Sequence, residues 1–391
     1  MSARPPAARK LLFWLVLAVW TLVLVEGMAA AYFLFFSRTY YRPLYLEQRN
    51  DQWLWRTERD DWGAWHKPSS TANHIANCFT TTYRSNSYGA RDRERSIAAS
   101  GKRAVVLGDS FIEGYAVDED RRMSSLLEAR LGFEMLNFGM TSFGPLQYEI
   151  LYDRLARRFE HDLVVVGFLP ENDFIENDLD FQSRNRDFAT RYRPLYGKGG
   201  GVVYPRPRPG PDEPPPFGKL AADLPERRGW RNIYHLFWLY GLYREVRYNV
   251  VVLTHPTPST YIGYFETDDT RIANATRSLL AIRRAAAPRP VLVVFIPEYK
   301  DLRHVETHPG SEKSSVVARM RPVLEASGIR TIDLLTEFRN RGLATEAAYR
   351  PLYLPCDGHW NDAGHRAAFE VVEPVVGDLL RTARPGQEGR R

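Results

Sequence analysis

The pattern of apolar and polar positions changes character near residue 102. Downstream of that point short apolar runs recur: "RAVVLG", "EMLNFG", "LVVVGFL", "PVLVVFIP" and "RTIDLL". Several are apolar at consecutive positions rather than at every second one, as expected of strands buried on both faces of a parallel sheet. Between them lie stretches with helical periodicity. "LQYEILYDRLARRFE" puts Tyr148, Leu151, Leu155 and Phe159 on one face, and "TRIANATRSLLAIRRAAA" and "SSVVARMRPVLEAS" behave in the same way. Strand and helix in alternation predict an α/β protein with a doubly wound parallel sheet, a three-layer α/β/α sandwich. In such sheets reactive residues gather at the carboxyl ends of the strands.

Three segments depart from that alternation. Residues 178–265 fall between the third and fourth predicted strands, and within them "YPRPRPGPDEPPPFG" suits neither a helix nor a central strand. It reads as a surface elaboration or a lid, followed by an aromatic helix, "NIYHLFWLYGLYREV". Residues 37–100 are rich in aromatics and Arg without a clear period, either a packed arm or a segment near a lipid interface. At the N-terminus a basic region, residues 1–10, precedes an apolar run over residues 11–36 that only Glu26 interrupts. The run is long enough to cross a bilayer as a helix. "GMAAA" would suit a cleaved signal peptide, but the apolar stretch continues through Phe36, which favours a retained anchor. A carboxylate in lipid is costly unless it lies near an interface or meets a partner. Arg4, Arg9 and Lys10 on one side are nearly balanced by Arg38, Arg42 and Arg49 on the other. The signal-anchor character of residues 1–10 places the N-terminus in the cytoplasm and the bulk outside, in the periplasm. Residues 101–391 form the expected main domain.

Composition adds limits. With 391 residues, 44% of them hydrophobic, the chain can bury a large core. The net charge of +6 comes from scattered Arg, with no basic stripe interleaved with aromatics, which speaks against nucleic acid as a partner. Cys78 and Cys356 could pair in an oxidising compartment or stay as two separate thiols.

Chemistry concentrates at the predicted strand ends. In "VVLGDSF", residues 105–111, Ser110 follows a buried strand at its carboxyl end. A serine hydroxyl is a weak nucleophile until a base takes its proton. "PCDGHWNDAGH", residues 355–365, offers His359 in a turn-like stretch, with Asp357 two residues earlier as a carboxylate able to fix the ring tautomer. His365 is expected to pack or cap. "LNFGMTSFGP", residues 136–145, has small residues that let backbone N–H groups face a cleft, and "FLPENDF" places Asn172 after the third strand as a side-chain donor to an oxyanion. Asp357, His359, Asp362 and His365 match no standard zinc spacing, so no metal is expected, nor any other cofactor.

Taken in order, "GDSF", "NFGMTSFGP", "ENDF" and "DGHWNDAGH" resemble the conserved blocks of the SGNH hydrolases, the GDSL-like esterases. The resemblance spans residues 105–365 and implies a flavodoxin-like α/β/α domain that cleaves or transfers acyl esters. It implies Ser110 as nucleophile, His359 as general base and Asp357 as its orienter. The oxyanion donors it implies are the Ser110 N–H, the Asn172 side chain and a backbone N–H of the second block. That last position falls on Ser142, where many relatives have glycine, with Gly139 and Gly144 as alternatives. Glu171 stands where the family usually has glycine, and the Asp-to-His spacing is one residue tighter than its commonest form. The expected activity is that of a membrane-anchored esterase acting on acyl, above all O-acetyl, esters of a glycan or, second, a lipid. An O-acyltransferase using the same site, or a non-catalytic glycan-binding or assembly component, are the alternatives.

Overall fold

The computed structural model describes residues 6–37, 43, 56–76, 79–184, 192–197, 199–206, 236–254, 263–355 and 358–383. Cys78, Cys356 and Asp357 lie outside them, as does most of the Pro-rich stretch. The chain divides into two compact units. One comprises Met1–Asn50, Ile75–Cys78 and Ala222–Thr260, the other Asp51–His74, Phe79–Ala221 and Tyr261–Arg391.

The larger unit is built on five parallel strands: β1 (Arg103–Gly108), β2 (Glu134–Gly139), β3 (Leu163–Phe168), β4 (Val291–Phe295) and β5 (Ile329–Asp333). Each coincides with an apolar run of the sequence to within two residues. Every residue of β1, β3 and β4 is buried, as consecutive apolar positions require when helices cover both faces. The order across the sheet is β5-β4-β3-β1-β2. Helices Pro145–Arg154, Asp269–Ala286 and Val316–Ala326 pack together in one layer, and Met123–Leu131, Leu334–Asn340 and Asp362–Thr382 in the other. The expected three-layer α/β/α sandwich is therefore the observed architecture. The chain leaves β1 toward β2 on one side and returns to β3 on the other, so a crevice opens at the carboxyl ends of β1 and β3.

Some boundaries differ from the sequence pattern. The helix read over residues 146–160 ends at Arg154, and a single 3₁₀ turn, Ala156–Arg158, follows. Leu155 and Phe159 still reach the core beside Tyr148 and Leu151 because the tighter turn swings Phe159 inward. The arm, which showed no period, contains a hairpin of Arg56–Asp60 with Gly63–His66. Its strands are too short for alternation to register. The insertion holds a short ribbon, Leu195–Tyr196 with Val202–Val203, and its aromatic helix spans Trp238–Thr254.

In the smaller unit, Pro6–Phe35 is one helix, and its segment Ala7–Phe35 is long and apolar enough to cross a membrane. Residues 9–24 are exposed, as a lipid-facing surface would be. Further along, Ala29 and Phe33 pack on Trp238, the two aromatic rings stacked 6.1 Å apart. Glu26 is the joint. Its carboxylate accepts the backbone N–H groups of Trp238 and, at 3.0 Å, Leu239, the first residues of the second helix. Those donors have no intrahelical acceptor, so the acid of the apolar run meets its partner at a helix N-terminus. One turn or more onward, Tyr32 and Ser37 donate to Glu245 at 2.8 and 3.0 Å, so the two helices run in the same direction.

Candidate active site

The Gly-Asp-Ser corner sits where β1 ends. Asp109 caps a single helical turn, Ser110–Glu113, by accepting the Phe111 N–H at 3.0 Å. Ser110 is the first residue of that turn, so its N–H has no intrahelical acceptor. The turn lies directly on the sheet. A Cβ on Gly139 would strike the Glu113 backbone nitrogen, and one on Gly167 would strike Ile112. Small residues at the ends of β2 and β3 thus set the height of the serine.

Ser110 and His359 come together: the His359 Nε2 lies 2.9 Å from the Ser110 Oγ. With Nδ1 protonated, Nε2 accepts the hydroxyl proton, the arrangement that proton abstraction needs. Ser110 is 2% exposed, and His359 is half-buried. His359 stands on a loop pinned at both ends. Leu354 donates to the His359 carbonyl at 2.7 Å, and Asn361 donates from its backbone to Leu352 at 3.0 Å. The Asn361 side chain caps the helix Asp362–Thr382 through the N–H groups of Ala363 and Gly364. Tyr115 stacks on the imidazole at 4.2 Å, and Phe111 flanks it at 5.1 Å. His365 lies apart from this pair, buried and accepting the Met123 N–H at Nδ1.

The two donor candidates flank the serine on the neighbouring strands. After β2, residues 140–143 form a turn closed by Phe143 N–H to the Met140 carbonyl at 3.2 Å. Ser142 is its third residue, with φ +65°, the left-handed conformation that glycine adopts freely and other residues at a cost of ~1–2 kcal/mol. A glycine at this position would adopt the same backbone without that cost. After β3, Pro170–Glu176 is helical, and Asn172 donates to the Asp109 Oδ2 at 3.2 Å across the crevice. Asp173 points the other way, accepting the Leu169 N–H and the Tyr148 hydroxyl. Ser110, Ser142 and Asn172 therefore follow three adjacent strands, β1, β2 and β3.

Burial dominates the electrostatics. It pushes the Asp109 carboxyl up to about 6, against the opposing pull of the Phe111 N–H, His359 and Asn172. Glu171 rises to about 7 through burial and the neighbouring Glu298, although Lys300 forms an ion pair with it.

Sequence reasoning missed several residues around the site. His74 packs edge-on against Tyr115 at 4.7 Å, and its Nδ1 lies 3.0 Å from the Tyr83 hydroxyl, which accepts the Ala116 N–H. Glu113 and His66 form a fully buried pair below the serine. Both histidines come from the arm, where no periodicity marked them. Spacing could have flagged Glu113, three residues after Ser110 on the same helical turn.

No protein-family model and no curated protein matches this chain. Among solved structures, it is similar to a member of the lipolytic G-D-S-L family from Veillonella parvula. The identity is 12% over 70% of this chain and 98% of that one, with a TM-score of 0.37. A lipase/acylhydrolase from Enterococcus faecalis gives 12% identity over 73% and 100%, with a TM-score of 0.39. A two-domain esterase active on acetylated mannans gives 10% identity over 74% and 52%, with a TM-score of 0.37.

Proposed function

We propose that this chain is a serine ester hydrolase of the SGNH type, anchored to a membrane by its N-terminal helix. The observation that carries this reading is the 2.9 Å approach of the His359 Nε2 to the Ser110 Oγ at the carboxyl edge of a parallel sheet. In the first half-reaction the Ser110 Oγ attacks the ester carbonyl while His359 takes its proton. The tetrahedral oxyanion is held by the Ser110 N–H, the Ser142 N–H and the Asn172 amide. The intermediate collapses to an acyl-serine, and His359 returns the proton to the departing alcohol. In the second half, water attacks the acyl-serine with His359 again as base, releasing the acid and the free hydroxyl. Asp357 is assigned the role of holding the imidazole tautomer.

The preferred substrate is an O-acylated, above all O-acetylated, glycan on the outer side of the membrane, with a lipid ester second. This choice rests on the anchor and on what the resemblance to the GDSL-like esterases implies. A variant of the same chemistry is transfer of the acyl group to a sugar hydroxyl, which takes the place of water in the second half-reaction.

The test is hydrolysis of a short chromogenic acyl ester by the full chain in detergent micelles, beside Ser110→Ala. Ser110-dependent release of the alcohol supports the reading, and equal rates for the two proteins defeat it. Adding a glycan acceptor and weighing the products separates transfer, a gain of acyl mass on the glycan, from hydrolysis. Protease protection in sealed vesicles tests the outward placement of residues 101–391.

A further inference from the structure

We infer that Glu113, held by His66, is a positioning residue for the loop 140–143 that carries the oxyanion donor Ser142. The inference rests on the ester-hydrolase reading of the site. Glu113 belongs to the same helical turn as Ser110, and its side chain is 0% exposed. Both carboxyl oxygens are committed. Oε1 lies 2.9 Å from the His66 Nε2, while Oε2 accepts the Thr141 backbone N–H at 2.6 Å and the Thr141 hydroxyl.

His66 is equally buried, and its Nδ1 lies 3.0 Å from the Gly89 carbonyl. A carbonyl only accepts, so Nδ1 carries a proton. The Nε2–Oε1 contact then holds one further proton, on either atom, and in both cases Oε2 remains an acceptor for Thr141. Trp65 stacks on the imidazole at 5.5 Å. Arg91 donates to the backbone carbonyls of Glu113 and Gly114, not to the carboxyl. A buried acid is costly, and an apolar residue would fill the space more cheaply.

What the acid supplies is a tie between two parts of the site, the serine's helical turn and the donor loop. Thr141 precedes Ser142, whose left-handed backbone has no intrinsic preference to persist. By binding the Thr141 amide, a side chain of the serine's own helical turn fixes the donor loop relative to the Ser110 hydroxyl. His66 and Gly89 anchor that tie from the arm, so these two residues belong to the framework of the site. Preorganised donors are where ester-cleaving sites draw much of their rate.

The experiment compares Glu113→Gln, Thr141→Val and Thr141→Ser in the full chain in micelles. Glu113→Gln is expected to lower kcat by about 10²-fold with KM within about threefold, the size of losing one oxyanion donor. Affinity for a tetrahedral alkyl boronate should fall by the same factor as kcat/KM. Thr141→Val should move in the same direction by a smaller step, and Thr141→Ser should recover it. If the wild type cleaves the ester through Ser110 while Glu113→Gln and Thr141→Val keep its kcat, the inference is overturned and the hydrolase reading stands. Should the wild type cleave nothing, amide exchange decides. Exchange at residues 140–143 that is at least tenfold faster in Glu113→Gln, with β1 and β2 unchanged, supports the tie. Unchanged exchange there overturns it.

Discussion

Across 249 positions of chain, the imidazole of His359 and the hydroxyl of Ser110 are brought to 2.9 Å of each other. Such a pair acts as a unit, so its members should not contribute additively. Ser110→Ala and His359→Asn are each expected to reduce kcat by about 10⁴-fold or more, and the double variant should be no slower than Ser110→Ala alone. Steady-state hydrolysis of a chromogenic ester checks this. A His359→Asn protein within tenfold of wild type would remove the imidazole from the reaction.

Asn172 tests the oxyanion assignment from the side-chain direction. Its amide already donates to Asp109, which orients it toward the crevice end of β1. Asn172→Ala should lower kcat by about 10²–10³-fold with little change in KM, because the donor is needed only when charge develops on the substrate oxygen. The loss should appear in pre-steady-state acylation as well as in turnover. A change confined to KM would instead mark Asn172 as a ground-state binding group.

Acid should destabilise the larger unit through two histidines. Burial lowers His365 to about 3 and His161 to about 4, both from an ordinary value of 6.5. In this window the unfolded chain binds more protons than the folded one, so stability falls as pH falls below 6.5. Each histidine should cost about 2 kcal/mol between pH 7 and pH 5. Asp109 works in the opposite sense. Its raised value makes the folded state bind more protons between 3.8 and about 6, so its share of stability is lost as pH rises through that range. Urea titrations of wild type and His365→Asn at several pH values isolate one histidine. The variant keeps an acceptor for the Met123 N–H and should show a shallower acid slope.

Glu26 should matter to the pairing of the two helices in the smaller unit rather than to catalysis. Glu26→Ala removes the acceptor for two backbone donors at the start of Trp238–Thr254, a loss comparable to an N-cap deletion, about 0.5–2 kcal/mol. With Cys78 and Cys356 changed to Ser, cysteines at positions 29 and 242 should cross-link efficiently, since Ala29 and Leu242 share one apolar cluster. Yield should drop in the Glu26→Ala background. An undiminished yield would mean that stacking of Phe33 on Trp238 suffices.

The amino-acid sequence by itself determined the five strands, the alternation with helices and the candidate reactive residues. Continuous apolar runs report burial on both faces of a strand, and that burial is a local property. Ser110, His359 and Asn172 were legible as candidates for a related reason: the proposed chemistry restricts residue type, and all three sit next to segments whose period is clear. The sequence also marked Glu26 as an acid in need of a partner, without naming the partner.

Only the tertiary structure decided the rest. The strand order sets the ends of β1, β2 and β3 side by side and so turns three separated motifs into one site. The left-handed backbone of Ser142, the stacking of Tyr115 on His359 and the partnering of Glu113 with His66 had no signature in the pattern. The reason is physical. A hydrogen bond or a ring contact between residues tens of positions apart imposes no periodicity, and a polar residue carries the same letter whether water or a buried carboxylate satisfies it. The fold supplies the neighbour, and the neighbour decides what the side chain does.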